Sequence, residues 1–388
     1  MLRVLAVANY RSLRQLVVPL GDLNVVSGEN GSGKSNLHRS LRLLAETAQG
    51  NVVASLAREG GIDSTLWAGP ESFGRAVKRG EHPVQPVVRK DVVNLRLGFA
   101  AEPLSYCIDL GLPAPGGQTA FGRDPEIKRE CIWAGPLLRP AALLVDRKGG
   151  LVRSRGANGE WDVLAADLAG FDSMLTQIAD PERAPEILAV REQIRSWRFY
   201  DHFRSDADAP SRQPQLGTRT LALDNDGGDV AAALQTIREI GDAKALDKAI
   251  ESAFPGSELQ IGRQEGRFRI ELKQHGLLRP LTSAELSDGT LRYLLWVAAL
   301  LTPRPPALMV LNEPETSLHP DLLPAMAGLI REASERTQVW VVSHSRPLID
   351  ALDEDVKCRP IVLAKELGET QLEGQTRLEM PEWEWPRR

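Results

Sequence analysis

Gly28-Glu29-Asn30-Gly31-Ser32-Gly33-Lys34-Ser35 fills every fixed position of the pattern GxxxxGK[ST]. Glycines at these points let successive backbone N–H groups converge on one anion, and a helix opening at the lysine adds the partial positive charge of its N-terminus. The chemistry is polyphosphate binding. Lys34 reaches the terminal phosphates, the Ser35 hydroxyl holds a magnesium ion, and Glu29, Asn30, Gly31, Ser32, Gly33 and Asn36 complete the cradle that begins at Gly28. The pattern needs a strand before it and a helix after it. Leu23-Asn24-Val25-Val26-Ser27 reads as a short buried strand, and Ser35 to Thr47 has helical apolar spacing, with Leu37, Leu41, Leu43 and Leu44 turned to a core. The ligand implied is a nucleoside triphosphate with Mg2+.

Downstream, Ala307-Leu308-Met309-Val310-Leu311-Asn312-Glu313-Pro314-Glu315 is an apolar strand that ends in polar and acidic residues. Parallel strands buried on both faces read as continuous apolar runs, and ligands sit at their carboxyl ends, where Asn312 and Glu313 fall. Glu313 is placed to polarise a water that attacks the γ-phosphate. Before this strand, Leu286-Ser287-Asp288-Gly289-Thr290 precedes an apolar helical run to Leu301; Ser287 is a natural N-cap and Gly289 permits close approach to an anion. After it, Gln338-Val339-Trp340-Val341-Val342-Ser343-His344-Ser345 is a second buried strand that delivers His344 at its carboxyl end, placed to sense the γ-phosphate.

The order of these elements resembles the ABC ATPases. More narrowly, Asn9-Tyr10-Arg11-Ser12-Leu13, the phosphate loop continued through Asn36-Leu37, Leu286 to Thr290, and Asn312-Glu313-Pro314-Glu315-Thr316-Ser317-Leu318-His319-Pro320 are similar to the predicted ATPases related to RecF, SMC and Rad50, including the ATPase half of OLD nucleases. The likeness covers about residues 1 to 50 and 215 to 350. It implies an α/β fold, an ABC-ATPase head with a P-loop, a mixed sheet, a flanking antiparallel β-subdomain and a helical lobe. It implies that Arg11 and Ser12 reach the nucleotide, and that Ser287, Asp288, Gly289 and Thr290 of one copy cover the ATP of another. One P-loop and one signature per chain then imply an ATP-dependent homodimer, and the resemblance implies that such a pair grips a partner, DNA, in repair or phage defence. Two rivals stand beside this: a nucleotide-gated regulatory subunit with little hydrolysis, and the ATPase partner of a separately encoded nuclease or toxin.

The chain departs from that pattern at Asn312, where aspartate is usual. An amide oxygen still accepts from a metal-bound water but brings no charge, which implies slow hydrolysis or weakly held magnesium. Gln118 is the nearest candidate for the family's Q-loop residue.

The 388 residues are 42% hydrophobic and 26% charged, as in globular proteins, and no apolar run is long enough for a bilayer span. The expectation is a cytoplasmic protein without membrane partners. Neither a signal segment nor a CxxC spacing appears, and Cys107, Cys131 and Cys358 read as buried thiols. A net charge of −5 excludes a surface that is basic overall.

One composite head is expected over 1–388: an N-terminal lobe at 1–140, an inserted hairpin and helical lobe at 141–214, and a C-terminal lobe at 215–388. Segments 91–100, 103–112 and 126–133 read as strands, with a turn at Pro113 to Gly117; Leu143 to Val163 reads as more hairpin. Residues 182–200 and 229–252 read as helices, Asp206 to Gly217 as a loop, and the end from Arg359 as a hairpin and a polar tail with Trp383 and Trp385. No sustained heptads call for a long coiled coil. Arg191, Arg195 and Arg198, with Trp197, Phe199, Tyr200 and Phe203 nearby, read either as a cationic, aromatic grip on DNA or as a solvated face backed by core rings. His319 is assigned to the loop after Glu313, at a dimer contact.

Overall fold

The computed structural model describes residues 1–70, 94–113, 120–156, 158–375 and 380–387. Gln118, residues 91–93 and the turn at 114–117 lie outside them. The chain opens with β1 (Leu2–Tyr10), β2 (Leu13–Pro19), β3 (Leu23–Gly28) and helix α1 (Lys34–Thr47). Its contacts divide it into two units. The first holds Met1–Leu20, Gly28–Ser196 and Ile361–Arg388, and the second Gly21–Ser27 and Trp197–Pro360.

In the first unit, α1 is followed by α2 (Val52–Arg58) and the single turn α3 (Ile62–Thr65). Then come β4 (Leu95–Ala101), β5 (Leu104–Gly111), β6 (Glu126–Ala134), β7 (Leu143–Lys148), β8 (Leu151–Arg155) and β9 (Trp161–Ala165). They form one antiparallel sheet in the order β2-β1-β4-β5-β6-β7-β8-β9. The stretch expected as an inserted lobe thus supplies three strands to this sheet, and after them α4 (Met174–Gln177) and α5 (Pro185–Arg195). A buried polar knot holds the sheet to α4: Glu130 accepts from Arg147 at 2.7 Å, Tyr106 at 2.7 Å, Ser173 Oγ at 2.6 Å and the Met174 N–H at 2.9 Å. A buried carboxylate survives only where donors surround it so.

The second unit starts, after Ser196, with β10 (Arg198–Tyr200). The helix expected over 182–200 therefore ends at Arg195. Arg198, Phe199 and Tyr200 pair instead with Met309, Val310 and Leu311, and this tertiary pairing overrides a locally helical pattern. Trp197, Phe199, Tyr200 and Phe203 are all buried, which agrees with the second of the two readings, core rings behind an arginine face, and not with an aromatic grip on DNA; Arg195 Nε donates to the Ala48 carbonyl.

The expected loop at 206–217 contains a short turn of 3-10 helix, Pro210–Arg212, and β11 (Gln215–Leu216). The helical run at 229–252 is two helices, α6 (Val230–Ile240) and α7 (Ala243–Ala253), separated at Gly241, with Asp242 capping α7 through the Ala245 N–H at 2.9 Å. Next come β12 (Glu258–Gln264), β13 (Arg267–Lys273) and β14 (Leu281–Thr282), which with β11 make a small antiparallel sheet. Helix α8 (Asp288–Leu300) is buried from Leu291 onward and forms the centre of this unit's core. Around it lie β15 (Leu308–Asn312), α9 (Leu323–Ser334), β16 (Gln338–Val342) and α10 (Arg346–Asp353). Strands β10, β15, β16 and β3 run parallel in that order, Asn312 opposite Val342 and Val342 opposite Val26. Their carboxyl ends therefore point the same way.

The last hairpin, β17 (Cys358–Glu366) and β18 (Glu369–Leu372), belongs to the first unit from Ile361 on. The tail expected to be polar is not a free end. Trp383 stacks edge-on against Trp133 at 5.7 Å and Trp385 at 5.0 Å, over the face of β1, β4, β5 and β6. A Cβ on Gly98 would stand 2.8 Å from the Trp383 ring, so the glycine makes room for it.

Candidate nucleotide-handling site

In the first unit the loop after β3 is shaped by two glycines that no other residue replaces. Gly28 has φ 140° and a Cβ there would lie 2.2 Å from the Leu363 carbonyl oxygen; Gly33 has φ 113° and a Cβ would lie 2.1 Å from Thr370 Oγ1. Helix α1 opens at Lys34, whose Nζ donates to the carbonyls of Gly28 at 2.7 Å and Glu29 at 3.1 Å. Glu29, Asn30, Gly31 and Ser35 are exposed, whereas Ser32 and Gly33 are buried. A loop of this shape at a helix start, with exposed residues and a lysine, fits a polyphosphate.

Ser12, Thr370, Ser32 and Asn36 form one chain of hydrogen bonds. Thr370 Oγ1 donates to the Ser32 carbonyl at 2.8 Å and accepts from Ser12 Oγ at 2.7 Å, and Ser12 Oγ accepts from Asn36 Nδ2 at 2.8 Å. The Thr370 N–H also donates to the Ser12 carbonyl at 2.9 Å. Ser12 and Asn36 thus brace the loop from behind. Arg11, in the turn of the β1–β2 hairpin with φ 50°, is held by Glu59, its Nη2 at 2.7 Å and Nε at 3.1 Å from Oε2. The Tyr10 hydroxyl donates to the same carboxylate at 2.7 Å, and burial, then Glu59, push its pKa up.

In the second unit the carboxyl ends of β15 and β16 bring together Glu313, Glu315 and His344. Glu313 takes φ 50°, sparsely populated for a residue with a side chain, and its N–H donates to the Val342 carbonyl at 2.8 Å. Glu315 is 9% exposed and its Oε1 accepts from Ser343 Oγ at 2.7 Å, the His344 N–H at 3.0 Å and the Ser345 N–H at 3.1 Å. His344 Nδ1 stands 3.5 Å from Glu315 Oε1 and 3.7 Å from Glu313 Oε1. Asn312 ends β15, half-buried.

The signature segment caps α8: Ser287 Oγ accepts from the Thr290 N–H at 3.2 Å. Asp288 is gripped by Arg212 Nη2 at 2.6 Å, and the same guanidinium donates to the carbonyls of Ser283 and Leu286. Gly289 lies close to the loop after Glu313, where a Cβ would meet the Ser317 carbonyl oxygen at 3.1 Å. Arg292, one turn on, donates to the Thr316 carbonyl at 3.0 Å and to Ser205 Oγ at 3.1 Å; burial lowers its pKa. His319 is exposed and caps a short turn, its Nδ1 accepting from the Asp321 N–H. Among the described residues no three His, Cys, Asp or Glu side chains are grouped to hold a metal.

A family model described as "AAA domain, putative AbiEii toxin, Type IV TA system" matches residues 23–351. The chain belongs to that family. No curated protein matches it in sequence. Among solved structures, a crystal structure of the SmcHead bound to the C-winged helix domain of ScpA aligns at 14% identity and TM-score 0.51, covering 96% of both chains. The SMC head domain from Thermotoga maritima aligns at 15% identity and TM-score 0.43 over 96% of this chain and 97% of that one. A Smc head with an extended coiled coil, bound to the C-terminal domain of ScpA derived from Pyrococcus furiosus, aligns at 12% identity and TM-score 0.48, over 96% and 95%. The family is thus that AAA family, and the fold resembles that of an SMC head domain. Among the described residues no helix is long and apolar enough to cross a membrane.

Proposed function

We propose that this protein binds ATP with Mg2+ and hydrolyses it in a head-to-tail homodimer. The observation that carries this reading is the convergence of Glu313, Glu315 and His344 at the ends of two parallel strands, in a chain whose glycine loop and Lys34 are shaped for phosphates. Lys34 and the loop N–H groups hold the phosphates, Glu313 polarises the attacking water, and His344 contacts the γ-phosphate. Ser35 and Asn312 are the residues that would hold a magnesium ion, which would supply positive charge to the phosphate oxygens. Arg11 reaches the nucleotide only by leaving Glu59, whereas Ser12 acts by bracing the loop. Ser287, Asp288, Gly289 and Thr290 close over the partner's ATP, so nucleotide state governs dimerisation.

The RecF, SMC and Rad50 resemblance supports DNA as the partner, in repair or phage defence, and a cytoplasmic location. The family's description as a putative toxin favours a second reading, in which a separately encoded effector completes a two-component system. The test is turnover of the purified protein with ATP and Mg2+. Hydrolysis that vanishes on Glu313→Gln while ATP still binds supports the ATPase; no turnover in the parent leaves a nucleotide-gated regulatory subunit instead.

A further inference from the structure

Of the carboxylates near the end of β15, the one most enclosed is Glu315, for which phosphate chemistry assigns no role. Ionised carboxylates are costly to bury unless donors compensate them, and Glu315 is 9% exposed. Its Oε1 accepts three hydrogen bonds, all from the consecutive residues Ser343, His344 and Ser345. Its Oε2 is buried and has no hydrogen-bond partner among the described residues. The side chain of His344 turns the same way: Nδ1 lies 3.5 Å from Glu315 Oε1, while the ring is half-exposed. A carboxylate that faces one imidazole nitrogen fixes the ring's orientation and leaves the other nitrogen free to act.

We infer that Glu315 is the positioning residue of His344: it anchors the Ser343–Ser345 segment after β16 through Oε1 and orients the imidazole by facing Nδ1. Glu313 also faces Nδ1, at 3.7 Å, but is 47% exposed and its backbone is set by Val342, so it does not hold the segment. The inference rests on the reading of His344 as a γ-phosphate contact, and the experiment separates the two.

The full chain is labelled with 15N-histidine, and among its six histidines the His344 ring signals are identified with His344→Ala. Glu315→Gln keeps an acceptor oxygen for the three donors but removes the charge; Glu315→Ala removes both. Glu315→Gln is expected to fold with the parent's melting temperature and to shift the His344 ring signals. Its kcat should fall toward the His344→Ala value, up to about 100-fold for a misplaced contact, with KM little changed. The double variant Glu315→Ala/His344→Ala should cost no more than the worse single change. If Glu315→Ala does not fold, the ring signals of Glu315→Gln decide the matter. His344 ring signals identical to the parent's in Glu315→Gln overturn the inference. Shifted ring signals together with unimpaired turnover in His344→Ala leave the positioning intact and remove the catalytic reading of the histidine instead.

Discussion

Thr370 is far from the phosphate loop in sequence yet braces it, and replacing it with valine tests that brace with almost no change of shape. The side chain is 1% exposed, and the substitution deletes the bonds to the Ser32 carbonyl at 2.8 Å and to Ser12 Oγ at 2.7 Å. Each neutral hydrogen bond contributes about 0.5–1.5 kcal/mol net, so the pair accounts for about 1–3 kcal/mol. If that loss falls on the loop's conformation, ATP affinity drops roughly 5- to 150-fold, at 1.4 kcal/mol per tenfold. Titration calorimetry with ATP and Mg2+ reads the affinity, and circular dichroism melting reports whether the whole fold has weakened instead. Thr370→Ser keeps the hydroxyl and should bind ATP as the parent does. Parental affinity and parental melting temperature in Thr370→Val would refute the proposal that this hydroxyl shapes the loop.

Lys34→Ala removes the loop's only cation and should abolish ATP binding in the same titration, since the backbone cradle alone remains. Asn312→Asp adds a charge next to the metal's water shell and should tighten magnesium and raise turnover about tenfold, one charge-assisted interaction amounting to about 1.5–3 kcal/mol; a magnesium dependence equal to the parent's would show that position 312 lies outside that shell. Arg147→Met leaves Glu130 buried at 0% exposure without its ion partner and should destabilise the first unit by about 3–5 kcal/mol in chemical denaturation. Glu130→Gln added to it should restore part of that loss.

The residues legible in the sequence were those whose meaning is local. The glycine loop, the N-cap at Ser287, and the apolar strands before Asn312 and His344 each carry their signal within a few neighbouring positions, and all four segments fold as that signal says. What was not legible is what those segments lean on. Thr370 reaches Ser32, Arg212 reaches Asp288 and Glu315 reaches Ser343 across long stretches of chain, and no spacing rule links such pairs. The one available hint was Glu315 itself, a second acidic residue placed two positions after Glu313. At Arg198–Tyr200 the local pattern pointed to helix and a parallel neighbour strand prevailed. Trp383 and Trp385 read as part of a polar tail because the slot opened by Gly98 exists only once the sheet has formed.

On the proposed function, ATP joins two copies of this chain and hydrolysis parts them. Glu313→Gln is isosteric but a poor base, so it should hold ATP in the joined state. Light scattering on that variant, at high protein concentration with and without ATP and Mg2+, reads whether the joined state forms. A shift from monomer to dimer mass on adding ATP, lost again when Lys34→Ala is combined with it, is the predicted result; monomer alone under all conditions would contradict the head-to-tail account.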